Sequence, residues 1–86
     1  MRYQYHAKVL AALAEHGLQP LESTPPDTLR DAVLGLYKYE IRRLRSELLG
    51  GRIRKRDYAG HVVQLRQRYW LLSLPVELWQ PQTSAE

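Results

Sequence analysis

Eighty-six residues, 44% hydrophobic and 26% charged, are enough for one small folded domain and exclude a disordered or collagen-like chain. The absence of cysteine rules out disulfide staples, thiol catalysis and Cys-ligated metal sites. The net charge of +4 is unevenly spread: residues 38–68 hold ten basic and three acidic side chains, a local balance of +7 that leaves −3 on the other 55 residues.

The chain opens with a stretch, Tyr3 to His16, that has no internal Gly or Pro and carries Val9, Leu10 and Leu13 among four alanines. This predicts a first helix over 3–16. Gly17 stands where a left-handed residue closes a helix, and Leu18 is placed to fold back on the last turn. Three prolines between Gln19 and Pro26 then force a stiff, extended connection. Thr24-Pro25-Pro26-Asp27 predicts the start of a second helix over 25–49, with Thr24 as cap, Pro25 in the first turn and Asp27 as capping-box partner.

Leu34, Tyr37, Ile41, Leu44 and Leu48 recur at spacings of 3, 4, 3 and 4, the seam of a helix packed along another helix. Gly50-Gly51 ends it. A third helix over 55–73 repeats the pattern at Tyr58, Val62, Leu65, Tyr69 and Leu72. The fold class predicted is therefore all-α, a three-helix domain built on a long antiparallel helical hairpin, with an N-terminal helix packed across it and a short C-terminal cap. The register that pairs Tyr37 with Tyr69 sets Glu40 level with Arg66, an expected ion pair. Leu29, Val33 and Leu36, with Ala59, Val63 and Trp70, form a second apolar stripe expected to receive the first helix. Gly35 and Gly60 lie inside helices, where glycine is costly, and a close helix contact is the expected reason. Pro75 ends the third helix, Leu78 or Trp79 caps one end of the bundle, and residues 80–86 form a flexible tail outside a single domain over 1–79.

No apolar run reaches the roughly 18 residues of a membrane span, and Met1 to His6 lacks the apolar centre of a signal peptide. The expectation is a soluble, cytoplasmic protein. The histidines His6, His16 and His61 are widely separated. His61 follows Asp57 by one turn, a spacing that allows a contact, but no nucleophile, base and orienting group fall together, and no serine sits in a nucleophile elbow. Asp27 and Asp31 are explained by helix-start electrostatics. No catalytic residue, metal or cofactor is expected.

Two surfaces stand out. Arg52-Ile53-Arg54-Lys55-Arg56 puts four cations in five residues at the hairpin tip, and Lys38, Arg42 and Arg45 extend that charge along one helix face, a pattern able to follow a phosphate backbone. The run from Trp70 to Trp79 is more apolar than one short helix can cover, which makes Trp70, Leu74, Leu78 and Trp79 candidates for a partner surface. The functional expectation is a non-enzymatic interaction module, an adaptor or regulator that presents the Trp-containing surface and the basic tip to a protein partner or to a second copy in a homodimer. The alternative is sequence-nonspecific nucleic-acid binding through the basic hairpin.

Overall fold

The structure, a computed structural model, describes residues 2–81; residues 82–86 of the expected tail lie outside the described residues. The chain is all-α. Helices α1 (Ala7–Glu15), α2 (Pro26–Leu49) and α3 (Lys55–Arg68) are followed by two short 3-10 helices, Trp70–Ser73 and Val76–Trp79, with no strand among the described residues.

Two glycines close helices as their positions require. Gly17 and Gly51 both take φ +77, a conformation that strains any residue with a Cβ. After α1, Leu18 N–H donates to the Leu13 carbonyl at 2.8 Å and Gly17 N–H to Ala14 at 2.9 Å. After α2, Arg52 N–H donates to Glu47 at 2.9 Å and Gly51 N–H to Leu48 at 3.2 Å. Each pair is a Schellman closure, which satisfies carbonyls the helix leaves open.

The helix starts differ from expectation, and long-range or local hydrogen bonds explain why. Residues Tyr3 to His6 are extended rather than helical, because Tyr3 N–H donates to the Glu22 carbonyl at 2.7 Å and His6 N–H to the Trp79 carbonyl at 3.0 Å. Thr24 does not cap α2. Its hydroxyl instead accepts Leu21 N–H at 2.9 Å within the preceding turn, its carbonyl accepts the Tyr5 hydroxyl at 2.6 Å, and the helix starts at Pro26 behind an extended Pro25. The third helix stops at Arg68, not residue 73: at Tyr69 the backbone turns to φ −102, ψ 39 and the chain tightens into a 3-10 turn.

The core gathers Val9, Ala12 and Leu13 from α1, Leu29 and Val33 from α2, and Leu65, Tyr69, Leu71 and Trp79 from the chain's last third. Trp79, expected on a partner surface, is 0% exposed, and its indole N–H donates to the Leu74 carbonyl at 3.2 Å. With α1 only nine residues long, the core's bulk comes from the chain's own apolar C-terminal segment.

α2 and α3, joined by the turn 50–54, meet again at their far ends. Tyr37 and Tyr69 touch edge to face with ring centroids 5.4 Å apart, a pair the register anticipates. Glu40, however, accepts from Arg68 Nη1 at 3.2 Å and not from Arg66. Heptad position explains the correction. With Leu34 and Ile41 as a and Tyr37 and Leu44 as d, Glu40 is g; with Val62 and Tyr69 as a, Arg66 is e and Arg68 is g. Two residues at the same level but on opposite sides of a seam cannot meet, whereas g faces g when two helices run antiparallel.

The same lettering dissolves the expected second stripe. Leu29, Val33 and Leu36 fall on the c/g side of α2, while Ala59 and Val63 fall on the e/b side of α3. Only Leu29 and Val33 enter the core with α1, and Val63 stays 51% exposed. Gly35 and Gly60 have no close neighbour either: a Cβ built at each meets nothing within 4 Å.

Candidate functional site

The buried side chains lie at positions up to 33 or from 65 onward. Between Leu34 and Gln64 every residue is exposed or half-buried, and the molecule measures 56 × 20 × 16 Å. The distal parts of α2 and α3 therefore form an arm that stands out from a packed base. Its seam residues Ile41, Leu44, Leu48, Tyr58 and Val62 are half-buried, as expected where each helix has a single neighbour.

The seven cations singled out from the sequence, Lys38, Arg42, Arg45, Arg52, Arg54, Lys55 and Arg56, are all exposed and all on this arm. None is neutralised: the two ion pairs among the described residues are Arg2–Glu22 and Glu40–Arg68. The turn 50–54 delivers Arg52 and Arg54 at the tip, and Arg54 occupies the N-cap of α3 without a side-chain cap hydrogen bond. The positive end of a helix thus adds to the side-chain charge there. Arg66, outside the set of seven, is also exposed and makes no ion pair among the described residues.

The four apolar candidates fare differently. Trp70 is 37% and Leu78 42% exposed, Leu74 is half-buried against the core, and Trp79 is withdrawn from the surface altogether. Of the four, Trp70 and Leu78 keep substantial exposure.

One side of the arm carries a polar groove of about 170 Å³ lined chiefly by Glu40, Arg43, Glu47, His61, Gln64 and Arg68. At its base-proximal end Glu40 Oε2 accepts both Arg68 Nη1 and the Tyr69 hydroxyl, the latter at 2.9 Å. Burial, then the hydrogen bond to Glu40 and its negative charge, push the Tyr69 hydroxyl up to about 12, with Arg68 acting in the opposite sense. On its other face the Tyr69 ring stacks on His16, centroids 4.3 Å apart. This constellation ties α2 to the start of the C-terminal segment and, through His16, to the end of α1. Asp57 and His61, one turn apart, make no hydrogen bond with each other.

Among the described residues no three His, Asp or Glu side chains gather in a way that could hold a metal ion, and no helix is long and apolar enough to cross a membrane. Comparison with protein-family models, with curated proteins and with solved structures finds no match to this chain.

Proposed function

We propose that this chain is a non-enzymatic interaction module that works through its basic arm, and that the ligand suited to the arm is a nucleic-acid backbone held through its phosphates without base reading. The observation that carries the reading is the set of seven exposed arm cations with no acidic partner among the described residues. Unpaired cations spaced along a protruding rod neutralise phosphates and displace the counterions condensed on the nucleic acid, and that release supplies the sequence-independent binding free energy. Arg predominates among them, and its planar fork matches phosphate oxygens better than a Lys ammonium does.

A second reading keeps a protein partner, or a second copy of the chain, on the exposed Trp70 and Leu78. Trp70 sits at the edge of a shallow groove with Lys8, Ala11 and Glu15, so an apolar anchor there would enlarge a surface the base already offers. Burial of Trp79 and partial burial of Leu74 weaken this reading relative to the first.

The test is anisotropy of labelled single- and double-stranded DNA and RNA at about 50 and about 200 mM salt, beside an Arg52→Ala/Arg54→Ala/Arg56→Ala variant. The expected result is binding that weakens steeply with salt and is lost in the variant. No binding at the lower salt concentration overturns the nucleic-acid reading and moves the protein-partner reading to first place.

A further inference from the structure

Charge on the arm is sorted by side as well as concentrated. The Glu40–Arg68 contact marks one flank of the α2–α3 seam as the g/c flank, and the groove-lining residues Arg43, Glu47, His61 and Gln64 all carry g or c letters on it. The three acidic residues between 38 and 68, Glu40, Glu47 and Asp57, take g, g and c. Against them stand two cations, Arg43 and Arg68, so this flank is close to neutral. On the opposite e/b flank of the arm lie Lys38 (e), Arg42 (b) and Arg45 (e) from α2, with Arg56 (b) and Arg66 (e) from α3, and no acidic residue between 38 and 68; the nearest on that flank, Asp31 (e), lies one heptad before Lys38 at the base end of α2. All five are exposed and make no ion pair among the described residues.

We infer that the phosphodiester-binding surface is this single e/b flank, on which Arg66 completes a two-helix set with Lys38, Arg42, Arg45 and Arg56. The inference rests on the nucleic-acid reading above and deepens it. A ligand runs along the arm rather than gripping its tip alone, and the g/c flank with its acidic groups faces away. The helical rise of about 1.5 Å per residue spaces Lys38, Arg42 and Arg45 by about 6 and about 4.5 Å along the axis, and carries Arg56 to Arg66 over about 15 Å. At one phosphate per about 3.4 Å of a strand's axis, that length spans roughly four phosphates. Four to five contacts imply a slope of log K against log salt near −4.

Two charge-matched double variants test the sidedness. Arg42→Gln/Arg66→Gln removes one cation from each helix on the e/b flank. Arg30→Gln/Arg43→Gln removes two from elsewhere, one on the base and one on the g/c flank. The same DNA and RNA probes, single- and double-stranded, are titrated by anisotropy across a salt series, and circular dichroism melts check that both variants stay folded. The expected result is a loss of about tenfold or more in affinity for the flank variant, with the salt slope shallower by about 2, against a change within about twofold and an unaltered slope for the control. The single- and double-stranded arms show which form presents its phosphates to the flank. Equal losses in the two variants overturn the sidedness while leaving nucleic-acid binding intact, since net charge would then suffice. A flank variant that binds like the parent chain, with the tip variant inactive, overturns it in favour of the tip. No binding of any probe by the parent chain overturns the nucleic-acid reading, and this inference with it.

Discussion

The base and the arm share α2 and α3, yet they solve different problems. In the base, Leu29 and Val33 of α2 are buried in one cluster with Val9, Ala12 and Leu13 of α1 and with Leu71 and Trp79 of the folded-back C-terminal segment. In the arm the same helix has only α3 beside it, and its seam is covered on one side alone. An amphipathic helix is stabilised by burying its stripe against another element, so the base carries the stability and the arm draws on it. The division also sorts the charge: most of the free cations stand on the part of the molecule that contributes least to the core. A surface given over to repelling cations costs less where little packing is at stake.

If this division is right, stability must respond unequally to substitution on its two sides. Trp79→Ala empties the largest fully buried side chain and should cost about 3–5 kcal/mol, with Val33→Ala costing about 2 kcal/mol. For an 86-residue chain the first change is expected to leave little folded protein at 25 °C. Denaturant titration followed by far-UV circular dichroism measures both. A Trp79→Ala loss below about 1 kcal/mol would mean that the base is not the stabilising unit.

The junction between the two regions is sharper still as a test, because it is chemical. Tyr69→Phe keeps the ring on His16 and Tyr37 but removes the hydroxyl that donates to Glu40. The expected cost is about 1–2 kcal/mol, at the lower end because Arg68 continues to serve the carboxylate. The pH dependence follows from the raised hydroxyl. A pKa lifted from 10.0 to about 12 in the folded chain favours the neutral form, so its contribution is complete below about pH 10 and is lost as pH rises toward about 12. Tyr69→Phe should flatten that alkaline loss in thermal melts, whereas a variant that falls as steeply as the parent would assign the loss to other groups.

Much of this architecture is readable from residue spacing, and the parts that are not have a common cause. The seam at Leu34, Tyr37, Ile41 and Leu44 shows because one neighbouring helix imposes one period, and Gly17 and Gly51 show because their backbone angle admits few other residues. By contrast, the extended Tyr3 to His6 segment depends on the carbonyls of Glu22 and Trp79, which no local pattern reveals. Nor does composition tell whether Trp79 faces solvent or core; that follows from α1 being too short to fill the base. The basic tip was legible as a run of charge. The sidedness of the arm needed one tertiary fact, the Glu40–Arg68 contact, before the heptad letters could be given a direction.

Gly35 and Gly60 bring the comparison onto the helices themselves. Neither meets a neighbour within 4 Å at the Cβ position, so packing gives no reason for glycine. Gly35→Ala and Gly60→Ala are each expected to stabilise the chain by up to about 1 kcal/mol through helix propensity and a restricted unfolded state. Thermal melts of the free protein measure the gain. Destabilisation by either would point to a close contact the isolated chain does not show, such as a second copy, and a concentration series of the same melts would detect it.

The smallest expected effect is the most direct check on the arm. Val63 is chemically the same residue as Val33, sits in a helix as Val33 does, and differs in being 51% exposed rather than 0%. Val63→Ala removes the same two methyl groups, but solvent already reaches about half of that side chain, and alanine returns some helix propensity. The net change should stay below about 0.5 kcal/mol, against about 2 kcal/mol for Val33→Ala. Val63 also belongs to the e/b flank, beside Arg66 and Arg56, so its truncation removes no charge from the proposed phosphate surface and should leave the salt slope of binding unchanged. If Val63→Ala instead destabilises the chain as much as Val33→Ala, that flank is covered in solution and cannot at the same time be open to a phosphate backbone. One pair of valine substitutions, measured in the same denaturant titration, therefore tests the exposure on which the functional reading depends.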